Sequence, residues 1–186
     1  MPPTLAKTPI TVIMKSIEEM LRNEDQSRFT ERLIRREWIA DNFHLPSEFA
    51  ISGGIVSQYL LDESIATFID GWFISTIVTG LAFVEHEIAA KLYASGINKA
   101  ARLSLQDILD RCAHRGSLVQ AEIELIAQSA KLRNRLVHFK SPLNPNSIEL
   151  RAMENDLQAL DILERDGKAI LRMVSIIVND WERLFL

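Results

Sequence analysis

Disulfide-forming, turn-forming and aromatic residues are all scarce in this sequence. Its 186 residues include one cysteine, so the chain cannot form an intramolecular disulfide, which suits a reducing compartment. Seven glycines and six prolines are too few for a collagen-like or low-complexity chain. Aromatic residues make up only 7%, and no aromatic platform for stacking bases can be assigned. The remaining composition, 47% apolar and 25% charged, is that of a globular protein. The chain is long enough for one domain with a helical extension.

Long hydrophobic runs are also missing. The most apolar stretch, Gly71–Val84, is shorter than the roughly 20 residues that are needed to cross a bilayer. Residues Met1–Lys7 contain proline and threonine and precede charged sequence, so we expect no secretory signal. These features predict a cytoplasmic protein without membrane contact, in which the apolar stretch forms a buried core helix.

The chain carries no overall positive charge. Its formal net charge is −4, which argues against a surface that coats nucleic acid by general electrostatic attraction. The segment from Lys131 to Lys140 differs from the rest of the chain. It holds four basic residues, Lys131, Arg133, Arg135 and Lys140, and no acidic residue. The sequence therefore predicts a local basic patch.

Apolar residues recur at helical spacing through most of the chain, whereas the alternation typical of strands is scarce. We predict an all-α antiparallel helical bundle with two long helices, shorter helices between them and an N-terminal helical extension. Residues 1–50 form the extension and residues 51–186 form the bundle.

In the extension we expect two helices, Ile10–Asn23 and Ser27–Asn42. The side chains expected to face inward are those of Ile13, Ile17, Met20, Phe29, Leu33 and Trp38. A shorter helical piece is expected to follow, through Ser52–Gly54 to Asp62.

The bundle is expected to begin with a long helix from about Ser64 to Ala94, which Gly96 ends. A short helix then starts with a capping box, in which Ser104 and Asp107 exchange hydrogen bonds, and ends at Gly116.

Two further helices complete the predicted bundle. One follows Gly116 and runs to about Phe139, before a loop over Ser141–Asn146. The last occupies roughly Glu154–Leu186. Its candidates for burial are Leu157, Leu160, Leu163, Ile170, Met173, Ile177 and Trp181.

The segment Lys131-Leu132-Arg133-Asn134-Arg135-Leu136-Val137-His138-Phe139 resembles the signature of the HEPN superfamily (higher eukaryotes and prokaryotes nucleotide-binding). That signature is an arginine, then a polar residue that is often asparagine, then a histidine a few residues further on. Arg133, Asn134 and His138 match these three positions. Members of the family are helical bundles with the motif near the end of a late helix, so the resemblance covers about residues 51–186.

Metal-independent RNA cleavage is what this resemblance implies, without a metal or another cofactor. The ribose 2′-OH attacks the adjacent phosphate and leaves a 2′,3′-cyclic phosphate and a 5′-OH. His138 would transfer the proton, because an imidazole titrates near neutral pH. Arg133 would hold the phosphorane with its planar guanidinium, and Asn134 would orient one of these groups. The RNA would be contacted by the basic neighbours Lys131, Arg135 and Lys140.

Helix geometry indicates that two copies are needed. Asn134 and His138 share one helix face, whereas Arg133 lies about 100° away, so one copy cannot easily direct Arg133 and His138 at one phosphate. Two copies that cross about a two-fold axis could do so. Ala127 and Ala130 continue the same face, and small side chains let a second helix approach. Family members commonly dimerise through this helix, which implies a homodimer; alternatively, the alanines pack against the protein's own long helix.

Other functions of the motif stay open. Arg133 and His138 could form a structural helix-end pair that the macrodipole stabilises by about 0.3–1 kcal/mol each. A non-catalytic module that binds nucleotide, RNA or protein is the alternative function. HEPN domains often serve as toxins or defence effectors, so the expected partners are RNA, a second copy, and an antitoxin or regulatory protein.

Three further candidate residues lie outside the motif. Glu85 and His86 are adjacent, so their side chains diverge by about 100°, and no His-x-x-x-His pair or cysteine cluster completes a metal site. We interpret them as a polar patch where the long helix leaves the core, or as supporting groups that face the motif. Cys112 has no obvious neighbouring base and is expected to be inert.

Overall fold

The computed structural model describes residues 10–44, 50–138, 141, 144 and 147–179, with the side chains of residues 10–15 left out. Within these ranges every regular element is helical and there is no strand, which confirms the all-α prediction. The α-helices are α1 (Ile10–Asn42), α2 (Gly54–Ile69), α3 (Phe73–Ala94), α4 (Leu105–Arg115), α5 (Gln120–Val137), α6 (Ile148–Asn155) and α7 (Ala159–Asn179).

The central helix of the fold is α3, which packs most extensively against α2 and α7 and also contacts α5. Ile77 and Leu81 of α3 and Ile170 and Val174 of α7 are buried in one core. The two helices approach each other closely at Gly80, where a Cβ atom would lie only 2.5 Å from Ile170 Cγ2. This packing fixes α3, and α3 in turn positions the helix that carries the motif.

The N-terminal region forms one continuous helix, α1, so the prediction of separate helices Ile10–Asn23 and Ser27–Asn42 is wrong. Glycine and proline are absent from this segment, and nothing else in it breaks a helix. An ion pair between Arg28 and Glu24, one turn apart, also spans the predicted gap.

Most of the apolar side chains of α1 are not in the core. Four residues that were expected to face inward are exposed: Ile17, Met20, Phe29 and Leu33. Trp38 packs as predicted, with its ring 5.2 Å from that of Phe68, whereas the side chain of Ile13 lies outside the described residues. The apolar periodicity correctly predicted that this segment is helical. However, the other described helices bury only the C-terminal end of α1.

Two predicted long helices are each broken once. The helix expected from Ser64 to Ala94 is divided between α2 and α3 at Gly71, whose φ of +80° no helix residue adopts. The helix expected over Glu154–Leu186 is divided between α6 and α7, where Asp156 takes a left-handed conformation with φ of +53°. Both breaks occur at residue types that tolerate positive φ, which the periodicity alone does not reveal.

The buried side of the last helix was predicted correctly only beyond the break. Ile170, Met173 and Ile177 are buried, as expected. Leu157 and Leu160 are exposed, because they lie at the turn and at the start of α7 rather than inside a long helix. Leu163 is half-buried, and Trp181 lies outside the described residues.

The ends of α4 form as the sequence predicts. The Ser104 side chain accepts from the Asp107 backbone N–H, and the Asp107 carboxylate accepts from the Ser104 backbone N–H. Gly116 ends the helix in the left-handed conformation, with φ of +68°. Cys112 of this helix is fully buried, and burial raises the pKa of its thiol to about 11, so the thiolate is scarce at neutral pH.

One helix in the described ranges, α3, has the length and composition of a membrane-spanning helix. It has 22 residues and a window of mean hydropathy 1.3, so it extends well beyond the apolar stretch that the sequence suggested. Half of that window is buried inside the fold, and core helices of soluble proteins share these properties. The helix is therefore only weak support for a membrane location.

Candidate functional site

The first motif residue, Arg133, is held by two neighbours. Its Nη2 donates to Glu85 Oε1 of α3 over 3.1 Å, and its Nε donates to Asn134 Oδ1 over 3.1 Å. The side chains of Arg133 and Glu85 are 26% and 28% exposed, so the ion pair sits at the rim of the contact between α3 and α5. In the part of the chain that the structure describes, no group bonds Arg133 Nη1. One edge of the guanidinium is thus fixed, while Nη1 on the other edge can still donate to a ligand.

The last motif residue, His138, is not helical. The helix α5 ends at Val137, and His138 is its C-cap with an extended backbone (φ −117°, ψ 130°). The prediction that the helix reaches Phe139 is therefore wrong. Because the backbone turns away, His138 does not continue the helical face of Asn134, as a helix of that length would require. Its side chain is exposed.

A groove of about 210 Å³ adjoins His138. It is lined by Leu132, Arg135 and Leu136 of α5 and by Ile148 and Arg151 of α6, among others. The groove therefore lies between the end of α5 and the start of α6 and combines apolar walls with basic groups.

The guanidinium of Arg151 is held firmly at this groove. Its two terminal nitrogens each donate to one carboxylate oxygen of Asp166 over 2.7 Å. These hydrogen bonds raise the pKa of Arg151 and fix its side chain. The motif gave no indication of this pair, because the two residues lie in different helices with a turn between them.

Arg133 and His138 have different surroundings in one copy of the chain. Arg133 contacts α3 through Glu85, whereas His138 lines the groove beside α6. Ala127 and Ala130 are half-buried against the protein's own core, which favours the alternative reading of those two residues. These two residues therefore do not form a free stripe of small side chains on α5.

The basic residues around the motif are distributed over different positions. Lys131 is exposed, and Arg135 is half-buried and lines the groove beside His138. Lys140 lies outside the described residues. Arg135 is thus the member of this group that shares the groove with His138, and the carboxylate of Glu149 lines the same groove.

His86, the second residue considered as a supporting group, contacts α2 rather than the motif. Its Nδ1 lies 2.9 Å from the hydroxyl of buried Ser57 in α2. A Cβ on Gly53 would lie 2.0 Å from Ser57 Oγ and 2.5 Å from His86 Nδ1, so only glycine leaves room for this pair. Among the described residues Arg133 bonds Glu85 and not His86, so it is Glu85 that reaches the motif.

The next residue along α3, Glu87, is almost fully buried. Its two carboxylate oxygens accept from the backbone N–H groups of Ser52 (2.7 Å) and Gly53 (3.0 Å). Buried Lys91, one turn further, lies 3.9 Å from Glu87 and donates to the Ile177 carbonyl of α7. Burial lowers the pKa of Lys91 to about 8, against the opposing effect of Glu87.

The buried pair of Glu87 and Lys91 was not predicted from the sequence. Glu87 and Lys91 were separated by one helical turn in an apolar helix, a spacing that could have indicated an intrahelical ion pair inside the core. Together they tie α3 to the start of α2 and to the end of α7. They are structural anchors of the helix that presents Glu85 to the motif.

No cluster of three or more metal-ligating side chains occurs among the described residues. Comparisons of this chain with protein-family models, with curated proteins and with solved structures gave no match.

Proposed function

We propose that this protein is a metal-independent endoribonuclease of the HEPN type, whose site forms where the α5 ends of two copies meet. The observation that carries the proposal is the state of Arg133. Glu85 and Asn134 hold one edge of its guanidinium, and Nη1 has no bond to a described residue. A fixed cation with a donor still available suits a phosphate that gains charge in the transition state.

The chemistry needs two groups, and the chain supplies both. The exposed imidazole of His138 takes the proton from the ribose 2′-OH, and the 2′ oxygen then attacks the adjacent phosphorus. Arg133 stabilises the phosphorane. The bond from phosphorus to the 5′ oxygen breaks, and the 5′ oxygen takes a proton from solvent. The products are a 2′,3′-cyclic phosphate and a 5′-OH.

Two copies are part of the proposal because the two groups have different neighbours within one chain. A two-fold contact between α5 ends would place Arg133 of one copy beside the partner subunit's His138. Arg135 would then hold the flanking phosphate. A role as a toxin or defence effector with an inhibitory partner is an extension that rests on the HEPN resemblance alone.

The test is RNA cleavage in EDTA with analysis of the product ends. We expect the wild-type protein to produce 2′,3′-cyclic phosphate and 5′-OH ends and His138→Ala to give background cleavage only. His114→Ala is the matched control, since His114 is also an exposed histidine at a helix end. If wild type and His138→Ala give the same background cleavage, the protein is not this nuclease.

A non-catalytic module that binds RNA or a nucleotide is the second candidate. The different neighbours of Arg133 and His138 within one chain favour it, because one copy can then hold a phosphate at Arg133 without an imidazole beside it. Binding that survives His138→Ala, together with a wild-type protein that cleaves no RNA, would support the binding module over the nuclease.

Glu85→Gln tests whether Glu85 positions Arg133. We expect kcat to fall about tenfold, because a neutral amide holds the guanidinium less firmly and small misplacements are costly. KM for RNA is not expected to rise, because the change removes a negative charge next to a polyanion. Glu154→Gln, at an exposed position at the end of α6, is the control. A Glu85→Gln protein with unchanged kcat would contradict the positioning role.

A further inference from the structure

An open cavity lies between α3, the turn before α2 and a short 3₁₀ helix at Ala100–Arg102. Its volume is about 460 Å³, against about 210 Å³ for the groove beside His138. Half of its lining residues are alanines, whose methyl groups leave room beside α3 and form an apolar surface: Ala89, Ala90, Ala94 and Ala101. Sites for small molecules typically have about 300–1,000 Å³ and mainly apolar walls, so this cavity has the size and the lining of one.

One wall of the cavity is fixed by a buried carboxylate. Ser52 and Gly53 line the cavity, and their backbone N–H groups donate to the two carboxylate oxygens of Glu87 over 2.7 and 3.0 Å. Because Glu87 is almost fully buried in α3, it holds this turn against the helix. The cavity is thus formed without a ligand, which is usual for small-molecule sites.

His86 places a hydrogen-bond donor at the cavity. Its Nδ1 lies 2.9 Å from the hydroxyl of fully buried Ser57, which has no other hydrogen bond among the described residues. The hydroxyl is satisfied when it donates to Nδ1, and the proton of the neutral imidazole is then on Nε2. The imidazolium form carries a proton on Nε2 as well. No described residue bonds Nε2, so this N–H can donate to a ligand in both forms.

The charge of the lining residues limits the class of ligand. Among the described residues, no lysine, arginine, aspartate or glutamate lines this cavity. A phosphate would lack the basic side chains that normally bind it, and an ammonium group would meet a donor instead of an acceptor. A carboxylate on an apolar body fits both features, because an oxygen can accept from His86 Nε2 while the body covers the alanines.

Tyr93 indicates the shape of that body. Its side chain lines the cavity and is 57% exposed, so its ring is available to a ligand. Aromatic rings pack on each other in offset or edge-to-face arrangements that stabilise beyond the burial of area. We propose that this cavity binds a small aromatic monocarboxylate, which accepts from His86 Nε2 and packs its ring between Tyr93 and the alanines. The proposal goes beyond RNA cleavage and does not depend on it, because no motif residue lines the cavity.

The first test is a calorimetric titration with 2-naphthoate as the probe. We expect the wild type to bind it with a dissociation constant below about 1 mM. The cation 2-naphthylmethylammonium has the same rings but no acceptor, and neither it nor inorganic phosphate should bind. His86→Leu removes the donor and should raise the dissociation constant at least about tenfold. His114→Leu is the control, since His114 is an exposed histidine outside the cavity.

A second variant fills the cavity and leaves the donor in place. Ala90 lines the cavity and is half-buried, and Ala90→Leu should also weaken the binding of 2-naphthoate at least about tenfold. Ala113→Leu makes the same change at an exposed position on α4 and should bind as wild type. Circular dichroism checks that each variant is folded, and Ala90→Leu decides the test if His86→Leu is not.

Three results would overturn the proposal: no binding of 2-naphthoate by the wild type, equal binding of the cationic probe, or binding that Ala90→Leu and a folded His86→Leu leave unchanged. His138→Ala should bind 2-naphthoate as wild type does. A protein that cleaves no RNA but binds 2-naphthoate through His86 would contradict the proposed function and support this inference.

Discussion

An equimolar mixture of Arg133→Ala and His138→Ala is expected to cleave RNA at about a quarter of the wild-type rate, although each variant alone is inactive. After subunit exchange about half of the dimers contain one copy of each variant. Each of these has one site with both groups intact and one site with neither. The mixture therefore retains about a quarter of the wild-type sites.

The recovery should be easy to measure because the loss in each single variant is large. General acid–base catalysis contributes about 10²–10⁴-fold, and a donor to the developing charge contributes about 10²–10³-fold. Each variant alone should thus be at least about 100-fold slower than wild type in an assay with EDTA and product-end analysis.

The control for this experiment is the pair Arg115→Ala and His114→Ala. Both residues are exposed at the end of α4, so neither variant should lose activity alone or in the mixture. A mixture of Arg133→Ala and His138→Ala that exchanges subunits, as shown by mass, but stays inactive would contradict a composite site.

Glu87→Ala is expected to lower the free energy of unfolding by about 3–5 kcal/mol. The change leaves the buried Lys91 ammonium without its carboxylate and leaves the N–H groups of Ser52 and Gly53 without their acceptor. Removing one partner of a buried pair costs more than the pair contributes, because the remaining charge stays desolvated. Urea unfolding followed by circular dichroism measures the change.

The double variant Glu87→Leu/Lys91→Met separates this cause from a general packing defect. It removes both charges and keeps the volume, so we expect it to recover most of the lost stability. Glu124→Ala, at an exposed position on α5, should shift the free energy of unfolding by less than about 0.5 kcal/mol. A Glu87→Ala protein within about 1 kcal/mol of wild type would show that water or relaxation compensates the buried lysine.

The part of the fold that local sequence determines was predicted well. The helical periodicity gave the all-α class, and the capping residues Ser104, Asp107 and Gly116 gave both ends of α4. The same holds for the buried residues Ile170 and Met173 of α7. Each of these features depends on neighbours within about one helical turn, and a single sequence contains them all.

Helix breaks were predicted less well. Gly71 and Asp156 interrupt helices that their flanking periodicity would allow to continue. Glycine adopts a positive φ without steric cost, and aspartate is one of the few other residues that tolerate it, so both positions permit a break that the periodicity does not reveal. The prediction that the apolar residues of α1 face inward was wrong for a different reason. The sequence shows that a helix face is apolar, but it does not show whether another element covers that face.

The sequence by itself determined that the chain is helical and that Arg133 and Asn134 lie near the end of one helix, because both follow from the periodicity of apolar residues. Only the tertiary structure decided that Glu85 rather than His86 meets Arg133, that His138 turns into a groove beside α6, and that Glu87 and Lys91 are buried. Those outcomes depend on the orientation of α3 about its own axis relative to α2, α5 and α7. That orientation is set by the packing of all these helices at once, which no local pattern encodes.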